Sequence, residues 1–185
     1  MITIEQRIRA HDGRQIDKWA HYGRIYDRHF AHLWTRVYRV LEIGVDHGGS
    51  LQLWKSVFPQ AVIVGLDINP ACKEYEEDGI QIVTGDQTDT KLLQSLGGFD
   101  IVIDDGSHDR THQSTSFTAL WPSTRMVYVI EDCHGVYPAI ITQDHVLHYG
   151  YPWMLVLERP ERIIRGTPSR ELRPDEAAAR EKSLG

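Results

Sequence analysis

Val37-Tyr38-Arg39-Val40-Leu41-Glu42-Ile43, followed at once by Gly44-Val45-Asp46-His47-Gly48-Gly49-Ser50, decides the fold. The first half is apolar and β-branched and reads as a strand. The second half is a tight turn whose glycines let a backbone pass close to a ligand without interference from a Cβ. Ser50 is placed to cap a helix running to Phe58, where Pro59 stops it. The turn lacks the G-x-G-x-x-G spacing of dinucleotide sites, so alone it predicts a strand-turn-helix unit and no particular ligand.

Downstream the same unit repeats. Ala61 to Leu66, Ile80 to Thr84, Ile101 to Ile103 and Met126 to Ile130 read as strands, each ending in acidic residues and each of the first three followed by a plausible helix. Apolar strands alternating with helices predict an α/β fold with a doubly wound, mostly parallel, Rossmann-like sheet. Ligands of such sheets bind beyond the carboxyl ends of the strands, where Glu42, Asp67, Asp86, Asp104, Asp105, Glu131 and Asp132 would converge. Trp153 to Leu157 and Arg162 to Ile164 read as an antiparallel pair at the sheet edge. Upstream, Trp19, Tyr22, Tyr26, Phe30 and Leu33 recur at helical spacing, predicting a leading helix from Asp17 to Leu33 with one apolar face. Residues 1–167 are expected to form one domain and 168–185 a polar tail without chemistry.

Composition narrows the function. With 41% hydrophobic residues and five Trp in 185 residues, the chain has ample material for one core. A net charge of −6 argues against a phosphate-gripping nucleic-acid protein and leaves small molecules as partners. No apolar run is long enough to span a bilayer and the first residues lack a signal-peptide core, so no membrane role and a cytoplasmic location are expected. The two cysteines, Cys72 and Cys133, form no C-x-x-C pair and signal neither a disulfide framework nor a cysteine zinc site.

Asp67 at the end of the second strand can accept hydrogen bonds from both hydroxyls of a ribose, which leaves NAD and S-adenosylmethionine open. Asp86 and Gln87 after the third strand suit an adenine edge, and an acidic rim suits a cationic sulfonium better than a pyrophosphate. With E-I-G-x-x-x-G-G from Glu42, G-L-D-I at Gly65 to Ile68, G-D-Q at Gly85 to Gln87 and F-D-I-V-I-D-D at Phe99 to Asp105, the chain resembles the class I S-adenosylmethionine-dependent methyltransferases. That resemblance implies a cofactor set of Glu42, Gly44, Gly48, Asp67, Asp86, Gln87 and Asp104, in which Glu42 and Gly44 lie near the methionine end, Asp67 holds the ribose and Asp86 with Gln87 sits at the adenine.

I-D-D-G-S-H (Ile103 to His108) and Y-V-I-E-D (Tyr128 to Asp132) carry a narrower resemblance, to the metal-dependent macrolide sugar O-methyltransferases and their cephalosporin-hydroxylase-like relatives. It implies Asp105, Glu131 and Asp132 as metal ligands and His108 as the base. Hard carboxylate oxygens without a cysteine pair suit Mg2+ or Mn2+. A metal and an imidazole together answer the weak acidity of an aliphatic hydroxyl. The bland alternatives are that Asp104 and Asp105 cap a helix beginning near His108, that Glu131 and Asp132 are ordinary strand-end acids, and that His112 replaces His108. The region from Gly135 to Gly150 is expected to wall the acceptor, and a second subunit to help close the pocket. A catechol-type methyltransferase and a noncatalytic cofactor-binding protein are the competing readings.

Overall fold

Strand β1 (Arg39–Ile43) is buried from Val40 onward, and β4 (Phe99–Asp104) is buried along its whole length, the pattern of strands covered on both faces. The structure, a computed structural model, describes residues 2–133, 147–151 and 153–159. In it β1 and β4 lie side by side at the centre of a seven-stranded sheet. Strands β2 (Val62–Asp67) and β3 (Ile80–Thr84) extend it on one side, and β5 (Thr124–Glu131), β7 (Met154–Glu158) and β6 (Leu147–Tyr151) on the other. The first five strands are parallel, whereas β7 runs antiparallel to both β5 and β6. Strand order reverses between β1 and β4, and a crevice opens at such a reversal. Register sets Ile43 level with Leu66 and with Asp104, so the turns after β1, β2 and β4 leave the sheet at one rim.

Two cores flank the sheet. One packs α1 (Ile4–Ala10), α2 (Tyr22–Phe30) and α3 (Gly49–Val57) through Ile4, Tyr26, Phe30 and Trp54 onto Val40, Ile63 and Ile101. Its centre is an aromatic cluster in which the Tyr26 and Phe30 rings lie 4.8 and 5.9 Å from Trp54, distances at which edge-to-face contacts add to plain burial. The other core packs α4 (Thr90–Ser95) and α5 (Arg110–Leu120) through Leu93, Phe117 and Leu120 onto Leu41, Val64 and Val102. Among the described residues no helix is long and apolar enough to cross a membrane.

The α/β class and the parallel strands agree with the sequence pattern. The leading helix differs: it begins at Tyr22, and residues 17–19 form an extended strap whose Trp19 is 59% exposed. Trp19 matched the helical spacing by coincidence, because its indole turns to Asp132 instead of the core. A helix absent from the sequence reading, α1, is announced by Thr3 and Gln6, which form a reciprocal capping box. Gly48, in a left-handed conformation, occupies the cap position of α3 that Ser50 was expected to fill; the Ser50 hydroxyl instead donates to Glu42 Oε2 at 2.6 Å. The antiparallel pair at the edge is β7 with β6; Arg162 to Ile164, the 168–185 tail and residues 134–146 of the expected acceptor wall lie outside the described residues.

Candidate active site

A cleft of about 870 Å³ opens at the rim where the strand order reverses, lined by the turns after β1 to β5 and by the strap at residues 15–20. Its volume lies in the range of small-molecule and cofactor pockets.

One half of the cleft is built from bonds that span at most 22 residues of the chain. Asp67 Oδ2 accepts from the amides of Val45 at 2.8 Å and Asp46 at 3.4 Å, while Oδ1 accepts from Asn69 N at 2.8 Å. The carboxylate therefore pins its own turn to the glycine turn and retains lone pairs toward the cleft. Gly44 has φ +89°, and a Cβ there would lie 2.1 Å from the Asp105 carbonyl oxygen. Close approach of two strand ends thus demands this glycine. Asp86 Oδ1 accepts from the Thr88 amide and hydroxyl, which holds its carboxyl below the usual range. Gln87 bridges inward, receiving Ser107 N and donating to Asp104 Oδ1 at 3.2 Å. Cys72 sits beside Asp67, and burial with that neighbouring charge pushes its thiol up to about 11.

The other half is built from residues far apart in sequence. Glu42, Glu131 and Lys18 are buried together: the Lys18 ammonium lies 2.7 Å from Glu131 Oε1, 2.9 Å from Asp105 Oδ2 and 3.3 Å from Glu42 Oε1. Tyr26 donates to Glu131 and Trp54 Nε1 to Glu42 at 3.0 Å. Burial opposes the Lys18 charge, but Asp105, Glu131 and Glu42 outweigh it and hold the ammonium protonated. One lysine does not balance three acids, and burial with the Asp105 charge pushes Glu131 up to about 8. Nearer solvent, Asp132 Oδ1 accepts from Trp19 Nε1 at 2.8 Å and the Tyr22 hydroxyl at 2.9 Å. His108 Nε2 stands 3.8 Å from Asp132 Oδ2. His108 and Asp132 both adopt left-handed backbone, at φ 57° and 49°; such conformations in side-chain-bearing residues cluster at functional sites.

Of the residues singled out from sequence, Gly44, Asp67, Asp86, Gln87, Asp105, His108, Glu131 and Asp132 line the cleft. Glu42, Gly48 and Asp104 are not among the lining residues. Asp104 is fully buried and accepts from Ser116, Gln87 and Tyr128, burial pushing its carboxyl up. Asp104 and Asp105 do not cap α5; Asp109 does, accepting from Thr111 N and His112 N. His112 bonds to Ser107 Oγ at 2.9 Å. The three acids expected to hold a metal divide over two clusters sharing Asp105: Asp105 with His108 and Asp132, and Asp105 with Glu42 and Glu131. The carboxylates of both clusters offer hard oxygen donors without thiolate, the kind that fits Mg2+ or Mn2+, and the excess of acids over the one lysine fits a divalent cation. The role of Lys18 as a counter-ion and the bond from Trp19 to Asp132 were missed by sequence reading. The available signal was an imbalance, acids converging at one rim with no counter-ion assigned.

The strand order and the cleft at its reversal are those of a doubly wound, Rossmann-like fold. No protein-family model matches the chain. It is 46% identical over 125 residues to mycinamicin VI 2''-O-methyltransferase of Micromonospora griseorubida, covering 60% of this chain and 31% of that protein. It is 35% identical over 162 residues to 8-demethyl-8-alpha-L-rhamnosyl tetracenomycin-C 2'-O-methyltransferase of Streptomyces olivaceus, covering 73% and 43%. Among solved structures, the mycinamycin-pathway methyltransferase MycE in complex with Mg, SAH and mycinamycin VI superposes with a TM-score of 0.68 at 34% identity, over 80% of this chain and 52% of that one. The chain is thus similar in sequence and fold to O-methyltransferases named for mycinamicin VI and a rhamnosyl tetracenomycin, and it spans about half or less of the length of these relatives.

Proposed function

We propose that the chain is a cytoplasmic S-adenosylmethionine-dependent O-methyltransferase acting on a sugar hydroxyl of a glycosylated natural product, with a divalent ion, Mg2+ or Mn2+, and His108 as the base. The observation that carries this reading is the joining, in one cleft, of a ribose-competent Asp67 beside a glycine turn with the acid and imidazole group Asp105, His108 and Asp132. The relatives support it by their names, which place O-methylation on mycinamicin VI and on a rhamnosyl tetracenomycin. Closure of the acceptor side by a second copy of the chain belongs to the same reading.

Asp67 would accept the ribose hydroxyls, Asp86 and Gln87 would border the adenine, and Gly44 would border the methionine end. Asp105, Glu131 and Asp132 would hold the divalent ion, which when bound lowers the cost of negative charge developing on an alcohol oxygen. His108 Nε2, 3.8 Å from Asp132 Oδ2, takes the proton of the acceptor hydroxyl. S-adenosylmethionine, when held by Asp67, Asp86, Gln87 and the Gly44 turn, would supply to that oxygen a methyl group activated by its sulfonium.

Mass spectrometry of the purified protein with S-adenosylmethionine, Mg2+ and a panel of glycosides and catechols tests the reading. A mass gain of one methylene on a glycoside is expected, lost on adding EDTA. Methylation of catechols alone would move the substrate class, and cofactor binding without transfer to either would favour a noncatalytic role.

A further inference from the structure

Lys18 is not a surface lysine folded inward. Its side chain is 1% exposed, its ammonium lies 5.7 Å from the centre of the Trp54 ring, and the strap that carries it is fixed on both sides. Before it, Arg14 N donates to Gln52 Oε1 at 2.9 Å, and the Gln15 carbonyl approaches Gly49 so closely that a Cβ there would lie 2.1 Å away. After it, Trp19 bonds to Asp132. An ammonium has three N–H donors, and Glu42, Asp105 and Glu131 present three oxygens to it within 3.3 Å. The same three acids form one of the two clusters compact enough to hold a metal ion. Each carboxylate has a second oxygen, so Asp105 and Glu131 can bond inward to the lysine and still offer an oxygen to an ion on their other side.

We propose that Lys18 is a positioning residue of the divalent-ion site, a resident cation that fills the cage of Glu42, Asp105 and Glu131 so that the chain offers a divalent ion one position, on the side of Asp132, and not two. The inference rests on the metal reading above. Lys18 fixes Asp105 and Glu131 before any ion arrives and withdraws Glu42 from ligation. Without it, three buried acids would face one another across a gap of metal-binding size, and a second ion would be the group able to replace the missing charge.

Mn2+ binding, followed by calorimetry and by the electron paramagnetic resonance of free Mn2+ in the absence of methyl donor, tests this. The wild-type chain and Lys18→Arg should bind one ion, and Lys18→Met two, with a larger rise in melting temperature on adding Mn2+ than the wild type shows. In the wild-type background Glu42→Gln should leave Mn2+ affinity within about threefold, whereas Asp132→Asn should weaken it more than about tenfold, the loss of one charge-assisted ligand. Two ions in the wild type, one ion in Lys18→Met at wild-type affinity, or an equal loss in Glu42→Gln and Asp132→Asn would each overturn the proposal. The glutamate and aspartate variants decide it if Lys18→Met does not fold. Absence of any Mn2+ binding to the wild type would remove the metal reading itself, whereas one ion in every variant would remove only the role of Lys18.

Discussion

The two halves of the cleft are held together in opposite ways. Asp67, Asp86 and Gln87 are fixed by bonds to backbone amides of residues 45, 69, 88 and 107, within or between adjacent turns. Asp105, Glu131 and Asp132 are fixed by Lys18, Trp19, Tyr22 and Tyr26, which lie 87 to 113 positions earlier in the chain. The first half comes with the sheet; the second exists only once the strap has docked across the rim. Donor binding and ion binding should therefore be separable by mutation, although they share one cleft.

Asp105 belongs to both acid clusters, so Asp105→Asn gives the widest expected separation. Methyl transfer should fall about 10³-fold or more, since a metal's stabilisation of developing charge is worth several kcal/mol, while S-adenosylhomocysteine binding measured by calorimetry stays within about threefold. Comparable losses in both would show that the halves are one unit. His108→Ala should lower the single-turnover rate about 10²-fold or more and leave both Mn2+ and S-adenosylhomocysteine binding in place. An unchanged rate would pass the role of base to His112. Asp67→Ala should act on the other half alone, weakening S-adenosylhomocysteine about ten- to a hundredfold through loss of a charge-assisted acceptor, with Mn2+ affinity retained; a matching loss of Mn2+ would again join the halves. The smallest effect concerns Cys72. With its thiol raised to about 11, on the order of 0.1% is thiolate at pH 8. Iodoacetamide should label it far more slowly than a free thiol, and a bound nucleoside ligand should slow it further. Rapid labelling would mean that the wall of the donor half opens in solution.

The same contrast explains how far the sequence could be read. The parallel strands, the glycine turn and the acids at strand ends are local signals: composition and spacing over a few residues carry them, and the structure returns β3 at the expected bounds, Ile80–Thr84. Asp104 misled because a strand-end acid looks the same in sequence whether it turns to a ligand or, as here, to Ser116, Gln87 and Tyr128 inside the protein. Lys18 was invisible for a different reason. It sits in a polar stretch with no periodicity of its own, and its partners are set by sheet topology, not by neighbours in the chain. Trp19 was read as part of a helical face for want of any local signal that the backbone there is extended.

The pairing of Lys18 with Glu131 also orders events in time. The lysine leaves the ribosome 113 residues ahead of the glutamate it holds, an interval on the order of ten seconds at ordinary elongation rates. Through that interval β1 to β4 can pair while Lys18 and Trp19 still wait for Glu131 and Asp132. The ion-binding half of the cleft is consequently completed after the donor half, and a chaperone that shields the early strap would act on this half of the molecule and leave the other to assemble by itself.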